Sequence, residues 1–247
     1  QVVLKNQGHM TLAQSVVIVT PGDFHNEGLI ETAGDFSLDA RAIHSNLTQA
    51  GGIVAAGNFT AEAAADLRLG SQGEFTAADA MHLAAANGMT STGAIQAGDS
   101  LDYSGGSLAN GGQIAAGAVN IGADLANQGS LYGDTITVTG QTGNGGQIFG
   151  ATIRLSGLSN SGVVSGNDIA LGATQNSGQI GGQTIAIQGG LNNSGHIGAS
   201  GQLNVAGGAV NDGDLSTDEL RIEGGALDNG GRIQAGSNLI IEVSSLT

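Results

Sequence analysis

Asn160-Ser-Gly162-Val-Val164, Asn176-Ser-Gly178-Gln-Ile180 and Asn193-Ser-Gly195-His-Ile197 are three copies of one phrase, set 16 and then 17 residues apart. The same glycine, with an apolar residue two places after it, occurs thirteen times, at 8, 28, 51, 73, 93, 112, 129, 146, 162, 178, 195, 213 and 231. The intervals between these glycines are 20, 23, 22, 20, 19, 17, 17, 16, 16, 17, 18 and 18 residues. Self-similarity at such a period means one short structural unit repeated along the chain, each copy covering the apolar face of its neighbour.

Within each repeat the columns are consistent. An asparagine stands two residues before the glycine in ten cases, the exceptions being Gln49, Ser71 and Ser91. The apolar column after the glycine runs Met10, Ile30, Ile53, Phe75, Ile95, then Ile114, Leu131, Ile148, Val164, Ile180, Ile197, Leu215 and Ile233, with no polar member. It is read as an inward file. A few residues later comes an alternating pair such as Val119-Asn-Ile121, Ile153-Arg-Leu155 or Leu220-Arg-Ile222. That period of two marks a half-buried strand. A third apolar site, as at Leu108, Leu158 and Leu191, precedes the next asparagine.

Helix is excluded by the period and by 45 glycines, whose conformational freedom opposes it. The reading is all-β: a right-handed parallel β-helix, or solenoid, of about thirteen rungs with three short strands per rung. Parallel pairing at about 4.8 Å per rung predicts a rod of roughly 60 Å. Ile148, Ile153, Leu158, Val164 and Ile169 step by five or six residues, near the hexapeptide period of left-handed coils. Rung lengths that vary from 16 to 23 favour the right-handed form, as does the handedness of parallel crossovers. The chain is read as one continuous solenoid, with longer, less regular rungs over residues 1–107 and regular ones over 108–247.

Composition restricts the function. Aromatic residues make up 3% of the chain and charged residues 11%, which suits a thin coil with few large rings inside. With 21 acidic against six basic residues the net charge is −15, so binding to nucleic acid by phosphate neutralisation is excluded. The chain has no cysteine, which fits export in an unfolded, uncrosslinked state. No stretch approaches the roughly 20 apolar residues of a membrane helix. Gln1 is not a methionine and no leader follows it, so the sequence reads as an excerpt of a longer protein.

Asn110-Gly-Gly-Gln-Ile114, Asn193-Ser-Gly-His-Ile197 and Leu227-Asp-Asn229-Gly-Gly-Arg-Ile233-Gln-Ala-Gly236 resemble the haemagglutinin repeats of filamentous-haemagglutinin-like exoproteins of two-partner secretion. The resemblance covers nearly the whole chain, most strongly from about Leu108 onward. It implies a right-handed β-helical shaft of a large bacterial adhesin or contact-dependent growth-inhibition toxin. Such a protein is secreted or displayed on the cell surface. Its partners are an outer-membrane secretion protein and a target-cell receptor or glycan. Neither a secretion domain nor a toxin domain is recognisable in these residues.

The asparagine column Asn110, Asn127, Asn144, Asn160, Asn176, Asn193, Asn211 and Asn229 is read as structural. Asparagine suits a corner, and its amide can bond to the amide one rung away. His9, His25, His44, His82 and His196 show no spacing of metal ligands, and no cofactor motif is present. Acidic residues crowd at Asp212, Asp214, Asp218, Glu219, Glu223 and Asp228, whereas Asp168 is the sole acid between Thr135 and Asn211. In the repeat alignment His196, Asp214 and Arg232 share one column. That predicts a surface charge ladder, with a polysaccharide-active enzyme as the rival reading because carboxylates can serve as acid and base. The longest interval, Gly28 to Gly51, predicts a projecting segment near residues 41–48, with Arg41, His44 and Asn46 as recognition candidates. The expectation is a shaft segment that is not an enzyme, with receptor or glycan binding by the chain itself as the second reading.

Overall fold

Phe59-Thr-Ala-Glu-Ala63 alternates strictly between buried and half-buried side chains. Only an extended chain with one face on a core produces that pattern. A computed structural model describes residues 3–40, 47–49 and 51–247, and all of these lie in strands or in the connections between them. Strands pair in parallel with their equivalents one rung away, so the chain is an all-β parallel solenoid. Three strands make each rung. One follows the corner glycine (the corner sheet), one carries the alternating apolar pair (the middle sheet), and one ends at the asparagine (the ladder sheet). By packing the chain divides into two units, Gln1–Asp134 and Thr135–Thr247.

In the first unit, His9–Leu12, Leu29–Thr32, Gly52–Ala55, Glu74–Ala77 and Ala94–Ala97 stack as the corner sheet. Their register aligns Met10, Ile30, Ile53, Phe75, Ile95 and Ile114. The members from Ile30 to Ile114 are fully buried, whereas Met10 is 39% exposed. Opposite them Phe36, Phe59, Met81, Leu101 and Val119 form a second inward file on the middle sheet.

Large rings are not absent from this interior. Phe24, Phe36, Phe59 and Phe75, four of the five phenylalanines, are buried here. Phe36 and Phe59 stack with centroids 5.4 Å apart, and Phe59 and Phe75 lie tilted at 5.0 Å. The corner intervals here are 20 to 23 residues, and a longer rung encloses a wider core that needs larger side chains to fill it.

The ladder sheet departs from the simple count. Register aligns Asn26 with Gln49, Gln49 with Leu69, Leu69 with Ser91, and Ser91 with Asn110. Leu69, not Ser71, therefore occupies the asparagine column in that rung. A turn closed by the Gly73 amide donating to the Gly70 carbonyl, at 2.8 Å, takes up the two extra residues.

The second unit has the shorter rungs. Gln147–Asn160 and Val163–Asn176 are each 14-residue strands that bend round all three faces without a break, paired from Gln147 with Val163 to Asn160 with Asn176. Ile148, Val164, Ile180, Ile197 and Leu215 are buried in register. Ile233 continues the file and is half-buried. Ile153, Ile169, Ile185, Leu203 and Leu220 line the middle sheet. This interior is aliphatic, and Phe149 points outward, half-buried.

Candidate functional site: the glycine corner and its groove

The corner begins with the asparagine. Asn144 Nδ2 donates to Asn160 Oδ1, Asn160 to Asn176, Asn176 to Asn193, Asn193 to Asn211 and Asn211 to Asn229, each at 2.8 Å. In the first unit Asn110 donates to Asn127 at 2.8 Å. The same amides reach the carbonyl of the glycine two residues on, as Asn176 does to Gly178 at 3.2 Å. They also reach the next rung, as Asn176 does to the His196 carbonyl at 3.3 Å. All of these side chains but the half-buried Asn229 are buried; their donors and acceptors are spent inside the protein.

The glycine is needed for a different reason. A β-carbon on Gly178 would overlap the carbonyl oxygen of Gly162, one on Gly195 that of Gly178, and one on Gly213 that of Gly195. Left-handed glycines occur instead at 88, 105, 190, 207, 208, 224 and 225, none of them a corner glycine. Corner glycines are thus selected by close approach of successive rungs, not by backbone conformation.

A file of residues without side chains leaves a trough. In the second unit it is a groove of about 760 Å³ with Gly162, Gly178, Gly195, Gly213 and Gly231 as its floor. Ser161, Ser177, Ser194 and Asp212 form one bank, and Val163, Gln179, His196, Asp214 and Arg232 the other. The serine hydroxyls lean back on the preceding rung, Ser177 Oγ donating to the Asn160 carbonyl at 3.3 Å. His196, Asp214 and Arg232 do stand in register across three rungs. Arg232 bonds to Gln234 on its own strand, and no ion pair joins it to Asp214 among the described residues.

The acidic residues that crowd in the sequence are dispersed by the winding. Asp212 and Asp214 lie in the groove. Glu219, Arg221 and Glu223 belong to the middle-sheet register, where Arg221 bridges Glu223 and Glu242, each at 2.7 Å. That pairing raises the guanidinium pKa further, through its hydrogen bond to Glu223 first. Asp228 sits on the ladder sheet opposite Val210. No group of three or more His, Asp or Glu side chains is placed to hold a metal ion among the described residues. No helix among them is long and apolar enough to cross a membrane.

A second charged cluster occupies the first two rungs. Glu27 accepts from Gln7 at 2.6 Å, pairs with His25 at 2.9 Å and with Lys5 at 3.1 Å. Those contacts, Gln7 first, hold its carboxyl down at about 2. His9 meets Glu31 at 2.7 Å. The recognition candidates Arg41, His44 and Asn46 lie outside the described residues. Neither the outward Phe149 nor the groove was foreseen from the sequence. A polar or small residue flanking a strictly repeated glycine is the one signal that could have located the groove.

Compared with family models, with curated proteins and with solved structures, the chain matches none.

Proposed function

We propose that this chain is a structural shaft segment of a large secreted bacterial surface protein, an adhesin or a contact-dependent growth-inhibition protein, and that it projects a distal binding or toxic activity from the cell. One observation carries the reading: from Asn144 to Asn229 the rungs spend their polar corner on an amide ladder and their apolar positions on an inward file. A fold invested this way extends by adding rungs, and its stability is shared between neighbours. The residues of the haemagglutinin-like phrase, Asn, Gly and the following aliphatic, are the ones that form the ladder, the close rung contact and the inward file.

On this reading the shaft itself is not an enzyme, and the full-length protein leaves the cell through an outer-membrane secretion partner. Absence of cysteine suits passage as an unfolded chain that gains its stability rung by rung outside. The test places the chain between a two-partner secretion domain and an epitope tag, in a bacterium carrying the cognate outer-membrane transporter. Shaft function expects the tag at the cell surface only when the transporter is present. It also expects the tag to remain there after excision of residues 163–178, which joins Gly162 to Gln179 and preserves every column. A tag retained inside the cell would end the proposal.

A further inference from the structure

We propose that Asn87 is a site of spontaneous deamidation, at which the peptide nitrogen of Gly88 converts the side-chain amide to a succinimide that water opens to aspartate or isoaspartate. The modification is independent of the shaft reading. Asn-Gly occurs four times in the chain, at 87, 110, 144 and 229. Glycine is the successor that obstructs the attacking nitrogen least, because it has no β-carbon. In the ring closure the Gly88 nitrogen bonds to Asn87 Cγ and the Cγ–Nδ2 bond breaks. Nδ2 leaves as ammonia, carrying the proton of the peptide nitrogen. One water molecule then cleaves either carbonyl of the ring.

The fold separates these four asparagines. Asn110 Nδ2 donates to Asn127 Oδ1 at 2.8 Å and to the Ser130 carbonyl at 3.2 Å, and the Gly111 nitrogen that would attack it donates to the Ser91 carbonyl at 2.7 Å. Asn144 donates to Asn160 Oδ1 at 2.8 Å and to the Val163 carbonyl at 3.2 Å. Asn229 accepts from Asn211 at 2.8 Å and donates to the Gly231 carbonyl at 3.2 Å. Such amides react only after the ladder opens locally. Asn87 is exposed, as is Ala86, and its side chain makes no hydrogen bond among the described residues. It also stands in a bulge. Met81–Ser91 pairs Ala85 with Gly105 and resumes at Gly88 with Ser107, so Ala86 and Asn87 together oppose Gly106. A bulge leaves its extra residue out of the ladder, which gives the side chain and the following peptide the freedom that ring closure requires. A cavity of about 160 Å³ borders both Asn87 and Gly88 and gives water access to them. The Asn87 carbonyl oxygen lies where a β-carbon on Gly106 would be. Isoaspartate routes the main chain through Cβ and lengthens it by one atom at that close contact, so the modified rung loses its fit.

Incubation of the whole chain at mildly alkaline pH in heavy-oxygen water, followed by peptide mass spectrometry, tests this. Each deamidated residue retains one labelled oxygen, and fragmentation locates it. Isoaspartate is counted separately with an isoaspartyl carboxyl methyltransferase and a labelled methyl donor. In the folded chain Asn87 is expected to convert at least about tenfold faster than Asn110, Asn144 or Asn229, the equivalent of 1.4 kcal/mol of local protection of the ladder. In concentrated urea the four should convert at similar rates, because each is followed by glycine and no ladder remains. Asn87→Gln, at an exposed position, is expected to remove most of the isoaspartate formed by the folded chain, with circular dichroism melts showing the variant folded. Three results would each overturn the proposal: conversion of Asn87 no faster than that of the ladder asparagines in the folded chain, the same spread of rates in urea, or isoaspartate undiminished in Asn87→Gln.

Discussion

The carbonyl oxygen of Gly162 occupies the space that a β-carbon on Gly178 would need. Two corners one rung apart can approach that closely only if the later one has no side chain. Gly178→Ala therefore forces the rungs apart at a point where both flanking strands are paired, and a loss of several kcal/mol is expected, at the upper end of single substitutions. Gly181 provides the control, since a β-carbon there meets nothing within 4 Å. Gly181→Ala removes unfolded-state freedom without a clash and should add about 0.4–1 kcal/mol. Thermal melts of the two variants should move in opposite directions. Equal shifts would contradict the close-approach account.

Asn176 accepts from Asn160 and donates to Asn193, both at 2.8 Å, in the buried interior of the ladder. Asn176→Ala leaves the Asn160 amide only its longer bonds to the Gly162 and Gln179 carbonyls, and strands the Asn193 acceptor away from water. An orphaned group costs about 1–3 kcal/mol, well above the net worth of an ordinary hydrogen bond. Asn192→Ala, on the exposed position next to the ladder, should stay within about 0.5 kcal/mol of wild type. Urea denaturation of the pair measures the difference. A cost for Asn176→Ala no greater than for Asn192→Ala would show that the ladder contributes nothing.

The strands and the inward file could be read from the chain because burial on a sheet repeats every two residues, and Ile148, Ile153 and Ile180 stand where that period puts them. Leu69 could not. Counting back from Gly73 gives Ser71, but register is set by backbone pairing, and the turn at Gly70 shifts the count by two. The acidic cluster misleads for a related reason. Residues three to five apart, such as Asp214 and Glu219, travel onto different faces once the chain turns. The groove is made of side chains that are missing, so the repeated glycine with its small or polar neighbours is its only mark in the sequence. Its depth follows from how closely the rungs stack.

Glu27 gives the first two rungs a dependence on acid. Its folded carboxyl titrates at about 2 against an ordinary 4.5, because Gln7, His25 and Lys5 all favour the charged form. With the folded value below the unfolded one, the carboxylate stabilises the fold fully above pH 4.5, and that contribution fades as the pH falls toward 2. Glu27→Gln should accordingly be less stable than wild type at neutral pH, with the gap closing through that window. Denaturation midpoints for both proteins at several pH values between 7 and 2 provide the check. A gap that stays constant across the range would remove Glu27 from the account.

Ser91 stands in the asparagine column between Leu69 and Asn110, and its hydroxyl is fully buried with no hydrogen-bond partner. A leucine on one side offers no acceptor. On the other, Asn110 Oδ1 already accepts from the Gly112 amide at 3.2 Å. A buried hydroxyl left in this state costs free energy that an apolar group of similar size does not. Ser91→Ala is therefore expected to stabilise the protein by about 1 kcal/mol, against the general trend for buried substitutions. Asn110→Ala, one rung further on, should destabilise, because it removes the bond to Asn127 and orphans the Gly112 donor. The deleted group has no partner in one variant and is bonded in the other, so opposite shifts in melting temperature are expected. A lower melting temperature for Ser91→Ala would mean that the hydroxyl is held by an internal water, and the ladder would then extend through this rung.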